Sequence, residues 1–298
     1  MPEYNKGVKN KMNNKQSIAS RTNAILKRYN LTAQKRFGQN FLIDETVLEK
    51  IIAASDIAED ELVIEIGAGL GVLTARIAEK SGHTAAIEID RRLVEVLRDI
   101  FSGDANPEIV EGDALKIDFD AFAAERGFSH YKIIANLPYY ITTPVIMHIL
   151  ENSRNWTSMV LMMQKEVADR LISPPGGKDC GVISLAVQYR ASMEHVASVS
   201  PQSFVPRPGV DSAVLRFNRL EAPPIVPADE KLFFAVIAAA FCQRRKTLLN
   251  SLSGSTLYDR DFWSKCLEAC GIDSVRRGET LSLQEFATIA DYCAAHSC

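Results

Sequence analysis

Apolar and polar positions along this chain change period several times, and each change marks an element. Residues 61–67 hold a short apolar run (Leu62, Val63, Ile64, Ile66) of the kind buried in a parallel sheet, ending in a glycine-rich turn. A helical period follows over 72–80. The succession then repeats, with strands at 84–89, 108–110, 131–136 and 160–163, and helices at 93–101, 142–150 and 164–171. Strands alternating with helices at these intervals predict an α/β fold built on a doubly wound parallel sheet. Further helices are predicted at 17–29 and from Asp44, a good N-cap, to about residue 54. Residues 181–189 are apolar and their position suggests a helix, while 194–199 and 213–217 predict closing strands. A proline-rich linker occupies 220–228, and the pattern beyond it is wholly helical. The expected organisation is a basic, disordered arm at 1–16, a sheet domain at 17–219, the linker, and a small all-helical domain at 229–298.

Charge changes this picture more than composition does. The 298 residues carry a net charge of −3, which by itself does not suggest a nucleic-acid binder. Residues 1–36, however, hold nine Lys/Arg against the single acid Glu3, a local +8 that leaves −11 for the rest. A basic arm on an acidic body suits a polyanionic partner. Six cysteines form no C-x-x-C pair, and Cys266 and Cys270, four apart on one helix face, suit core packing better than a metal site. No apolar run is long enough to span a membrane and the N-terminus lacks the apolar core of a signal peptide, so a cytoplasmic protein with reduced thiols is expected.

Candidate chemistry gathers at the predicted strand ends. Glu65-Ile66-Gly67-Ala68-Gly69-Leu70-Gly71 follows the first strand, where glycines let backbone approach a ligand closely. Glu88 lies 21 residues after Gly67, suitably placed to hold a ribose, and Asp113 follows the third strand. The spacing is G-x-G-x-G rather than the dinucleotide G-x-G-x-x-G, and Glu65 would repel a diphosphate and suit a cation. S-adenosylmethionine, cationic and free of phosphate, therefore fits the ladder Glu65, Glu88, Asp113 better than a nicotinamide dinucleotide. Asn136-Leu137-Pro138-Tyr139-Tyr140 ends the fourth strand with an amide, a rigid proline and two aromatic faces, which together could hold a planar amine by its hydrogens and its ring. Gly38, Gln39 and Asn40 form a loop suited to touching a ligand, and Arg244, Arg245 and Lys246 suit phosphate contact, with Arg276 and Arg277 as a second basic pair.

Taken in order, Lys35-Arg-Phe-Gly-Gln-Asn-Phe-Leu42, Glu65-Ile-Gly-Ala-Gly-Leu-Gly71, Asn136-Leu-Pro-Tyr139, Phe204-x-Pro206 and Arg244-Arg-Lys-Thr-Leu248 resemble the ribosomal RNA adenine N6-methyltransferase family. The likeness spans about residues 17–298 and is nearest to the small-subunit adenine dimethylases. It implies a Rossmann-like S-adenosylmethionine-dependent domain with a helical C-terminal domain. It also implies dimethylation of two adjacent adenosines near the 3′ end of small-subunit rRNA during ribosome assembly, by a monomer with no membrane partner. On this resemblance Asn40, Leu42, Gly67, Glu88, Asp113 and Asn136 hold the methyl donor. Many relatives carry His where this chain has Asn40. Asn136 and the carbonyl of Leu137 or Pro138 would accept the two amine hydrogens, and Tyr139 and Phe204 would sandwich the base. Lys35, Arg36, Arg244, Arg245 and Lys246 would meet RNA, no metal is implied, and none of the five histidines belongs to a triad. Three rivals differ in class or substrate. They are a large-subunit methylase of the macrolide-resistance type, a non-catalytic RNA-binding assembly factor, and a nicotinamide oxidoreductase, the last disfavoured by the glycine spacing.

Overall fold

The chain is described by a computed structural model over residues 17–34, 37–103, 106–177, 179–243 and 245–296. Nine strands are present among these residues: β1 (Phe41–Leu42), β2 (Leu62–Ile66), β3 (His83–Glu88), β4 (Glu108–Glu111), β5 (Tyr131–Asn136), β6 (Trp156–Gln164), β7 (Ala191–Val199), β8 (Phe204–Val205) and β9 (Ser212–Arg219). Seven form one sheet in the order β4-β3-β2-β5-β6-β9-β7, while β1 and β8 pair separately and antiparallel. All five residues of β2 are buried, as a strand covered on both faces requires. β2 pairs in parallel with β3 on one side and β5 on the other, so that β3 and β4 lie to one side of it and β5 and β6 to the other. The crevice where the order reverses is the place at which open α/β sheets bind ligands.

The parallel sheet expected from sequence is present from β4 to β6, but the sheet as a whole is mixed. β9 runs antiparallel to β6, in register from Ser158↔Asn218 to Gln164↔Ser212. An antiparallel strand brings its first residue, rather than its last, to the carboxyl edge of its neighbours. The helices follow their caps. Asp44 accepts from Thr46 N and Val47 N at the start of Glu45–Ser55, and Asp118 accepts from Ala121 N to begin Phe119–Ala124, a helix the periodicity did not predict. Leu48, Ile51, Val63, Ile77, Ile134, Val160 and Val214 pack between the helices and one face of the sheet.

Two compact units emerge: the described residues up to Ala168 with Met193–Arg219, and Asp169–Ser192 with the described residues from Leu220 onward. The expected boundary at 219/220 thus misplaces residues 169–192. Their helix Val182–Gln188 buries Ile183, Leu185 and Val187, and Leu185 and Tyr189 join Phe233, Trp263 and Phe286 in the core of the helical unit. Cys266 and Cys293 are buried in that same core. No described helix is long and apolar enough to cross a membrane. The basic arm at 1–16 lies outside the described residues.

Candidate active site

Three loops at the carboxyl edge of the sheet wall a single cavity of about 1180 Å³, open mouth included. The first follows β2. Gly67, Gly69 and Gly71 adopt φ of +79°, +59° and +76°, a region that favours glycine. Side-chain volume at Gly71 is also excluded, because a Cβ there would lie 2.9 Å from both Leu97 and Phe101. The loop is tied to β3, where the Glu88 carboxylate accepts from Gly69 N (2.9 Å), Ile89 N (3.0 Å) and Asp90 N (2.9 Å). Burial raises the pKa of Glu88, and these backbone N–H groups oppose the shift. Three accepted bonds leave Glu88 about one acceptor site for a ligand hydroxyl. Asp113 caps the turn after β4 through Leu115 N (3.1 Å).

Glu65 departs from the expectation. Its carboxyl is wholly buried beneath the glycine loop, and burial pushes its pKa up to about 8; Thr74 opposes the shift by donating to it, and the charge of Glu88 adds to it. At neutral pH Glu65 is therefore mostly uncharged. The described lining still contains no Lys or Arg, so a phosphate-bearing ligand would meet acids and no cation.

The second loop is Asn136–Tyr140, at the end of β5. Asn136 Nδ2 donates to the backbone carbonyl of Asn40 (3.2 Å), which leaves Oδ1 without a protein partner among the described residues. Leu137 N donates to Met162 O (3.3 Å), whereas the Leu137 carbonyl has no such partner. Pro138 differs, because its carbonyl already accepts from Ile141 N (3.1 Å) and Thr142 Oγ1 (3.2 Å). Of the two carbonyls left open by the sequence, that of Leu137 is the unengaged one. The Tyr139 hydroxyl bonds to Ser212 Oγ at 2.7 Å.

The third loop, residues 37–42, carries Asn40, whose side chain donates to Gly38 O (3.2 Å), and Leu42, which pairs with Phe204 across β1 and β8. Every expected cofactor residue, namely Asn40, Leu42, Gly67, Glu88, Asp113 and Asn136, lines the cavity, as do Leu137, Pro138, Tyr139 and Phe204. Phe204, however, is only 1% exposed and packs in the core with Leu42, Val160 and Val214. It forms a wall of the cavity and presents no open stacking face.

Tyr140, the second aromatic of the strand-end loop, is 56% exposed on the rim. Ile89 and Leu115 were not singled out from sequence; both line the cavity as exposed apolar side chains. The signal was an apolar residue directly past the acidic strand end for Ile89, and one two positions past Asp113 for Leu115. Gln39 braces its loop by accepting from Gln34 N (2.8 Å) and donating to Asp90 (3.0 Å).

Of the expected RNA-binding residues, two are described. Arg245 and Lys246 are exposed in a turn between Glu230–Phe241 and Leu248–Leu252 of the helical unit. Leu248 N and Leu249 N donate to Arg276 O and Ser274 O, bringing the second basic pair beside that turn. Arg276 is engaged by Glu285, so of that pair Arg277 is the more available. Lys35, Arg36 and Arg244 lie outside the described residues.

The sequence pattern of the family described as ribosomal RNA adenine dimethylase matches residues 30–295. A ribosomal RNA small subunit methyltransferase A of Pelotomaculum thermopropionicum is 48% identical over 275 residues, spanning 90% of this chain and 93% of its own. Its counterpart in Clostridium acetobutylicum is 45% identical over 270 residues, spanning 91% and 97%. Among solved structures, a dimethyladenosine transferase from Plasmodium falciparum superposes with a TM-score of 0.68 at 25% identity, over 84% of this chain and 95% of that one. The 23S rRNA methyltransferase ErmE shares the fold, with a TM-score of 0.64 at 23% identity over 85% and 99%.

Proposed function

The chain belongs to the ribosomal RNA adenine dimethylase family, and from that premise we propose that it uses S-adenosylmethionine to dimethylate two adjacent adenosines near the 3′ end of small-subunit rRNA in an assembling subunit. The observation that carries this reading is the pair of unengaged acceptors, Asn136 Oδ1 and Leu137 O, on adjacent residues of the loop that walls the cavity. The exocyclic amine of adenine is a poor nucleophile because its lone pair is delocalised into the ring. Two acceptors binding its two hydrogens draw the nitrogen towards tetrahedral geometry and localise that lone pair. Tyr139 supplies a ring for the base, which must leave its stack in the RNA to enter.

The cavity suits the donor. S-adenosylmethionine, when bound, supplies an electrophilic methyl on a sulfonium. Glu88 retains an acceptor for a ribose hydroxyl, Ile89 and Leu115 offer apolar cover for an adenine ring, and Asp113 is the remaining acid. With no cation in the described lining, the cavity favours this donor over a dinucleotide. The transfer rests on alignment, which can supply roughly 7–11 kcal/mol of the barrier, rather than on a general base. A monomethylated amine keeps one hydrogen, so one of the two acceptors is idle in the second transfer. The choice of small-subunit RNA is supported by the names of the relatives above 40% identity and by the exposed turn at Arg245 and Lys246.

The test is transfer of labelled methyl to unmodified small ribosomal subunits, with the labelled nucleotide mapped. Asn136→Ala abolishes transfer and leaves RNA binding intact. Label confined to large-subunit RNA overturns the substrate, and an active Asn136→Ala variant overturns the mechanism.

A further inference from the structure

The Tyr139 hydroxyl is bonded to a residue 73 positions away, Ser212, at 2.7 Å. Ser212 is wholly buried and is the first residue of β9, opposite Gln164 at the end of β6. Because β9 runs antiparallel, that first residue sits at the edge where the parallel strands deliver their loops. The anchor is itself braced, since Lys165 N donates to the carbonyl of the preceding residue, Asp211, at 2.9 Å. The catalytic loop is thus held at three points: Asn136 on the Asn40 carbonyl, Leu137 N on β6, and the Tyr139 hydroxyl on β9.

Of these ties, only the last acts on the aromatic ring. Phe204 offers no open face, so the plane of the Tyr139 ring defines how a base lies against Asn136 Oδ1 and Leu137 O. We propose that Ser212 is a positioning residue for methyl transfer, fixing the Tyr139 ring so that the amine meets its two acceptors in line with the donor. The role rests on the function proposed above. Tyr139 itself moves no proton in this scheme: its hydroxyl is half-buried, and burial raises its pKa.

The test compares the full-length wild-type chain with Ser212→Ala, Tyr139→Phe and the double variant. It measures single-turnover methylation of unmodified small subunits, the dissociation constant for S-adenosylmethionine, and thermal unfolding. A misplacement on the ångström scale costs up to about 100-fold in rate, so Ser212→Ala is expected to slow transfer roughly 10- to 100-fold. Cofactor affinity stays unchanged. Tyr139→Phe removes the same bond from its other end, so the double variant is no slower than the slower single one. Wild-type rates in Ser212→Ala, or losses that multiply in the double variant, overturn the positioning role while leaving the proposed function standing. A rate that falls only in proportion to the folded fraction assigns Ser212 to stability and also overturns it. A wild-type chain that transfers no methyl overturns both.

Discussion

Glu65 is the group whose chemistry departs furthest from its sequence expectation, and Glu65→Gln measures that departure. The carboxyl is fully buried and titrates at about 8 in the folded chain, against an ordinary value of 4.5. Below pH 4.5 both folded and unfolded chains hold the proton, and the contribution of Glu65 to stability is whole. As pH rises towards 8 the unfolded chain releases the proton and the folded chain does not, so stability falls through that window and levels off above it. The slope is about 1.4 kcal/mol per pH unit, or about 3 kcal/mol between roughly pH 5 and 7.5. Glutamine keeps the shape and can still accept from Thr74, but it cannot ionise. Urea unfolding of both proteins across this range isolates the effect, since every other titration is shared. The stability difference shifts towards Glu65→Gln by about 3 kcal/mol from the acid to the neutral end, or roughly 6–12 °C in thermal midpoint. Curves that stay parallel would show that Glu65 ionises normally and would refute the buried neutral carboxyl.

Gly71→Ala is expected to destabilise by about 2–5 kcal/mol, the left-handed backbone and the crowding by Leu97 and Phe101 together, measured as a shift in denaturant midpoint. Gly103→Ala, at φ +91° with nothing within 4 Å, serves as its control and should lose only the backbone part, about 1–2 kcal/mol. Reversing Arg245 and Lys246 to Glu should weaken binding to small subunits and lower the slope of log affinity against log salt by about one for each phosphate no longer neutralised. Unaltered slopes would make that turn ordinary surface.

Local pattern decided a large part of this protein. The buried strand Leu62–Ile66, the glycine turn, the acids Glu88 and Asp113 past their strands and the Asn136–Tyr139 loop were all legible, because each depends on neighbours within a few residues. Periodicity marks burial, glycine marks a backbone that side chains would block, and a strand end in an open α/β sheet marks the ligand edge. What remained hidden depended on residues far apart in the chain. The reversal of β9, the Tyr139–Ser212 bond, the burial of Phe204 and the packing of 169–192 with the helical tail arise from pairings that no local period encodes. Chemistry was hidden for the same reason. Sequence placed Glu65 at the ligand edge as a charge, and complete burial made it a neutral acid. Sequence left the carbonyls of Leu137 and Pro138 equivalent, and the turn into the next helix occupied one of them. Residue type states which groups can ionise or accept a hydrogen. Desolvation and competing donors, both set by the tertiary neighbours, decide which of them do.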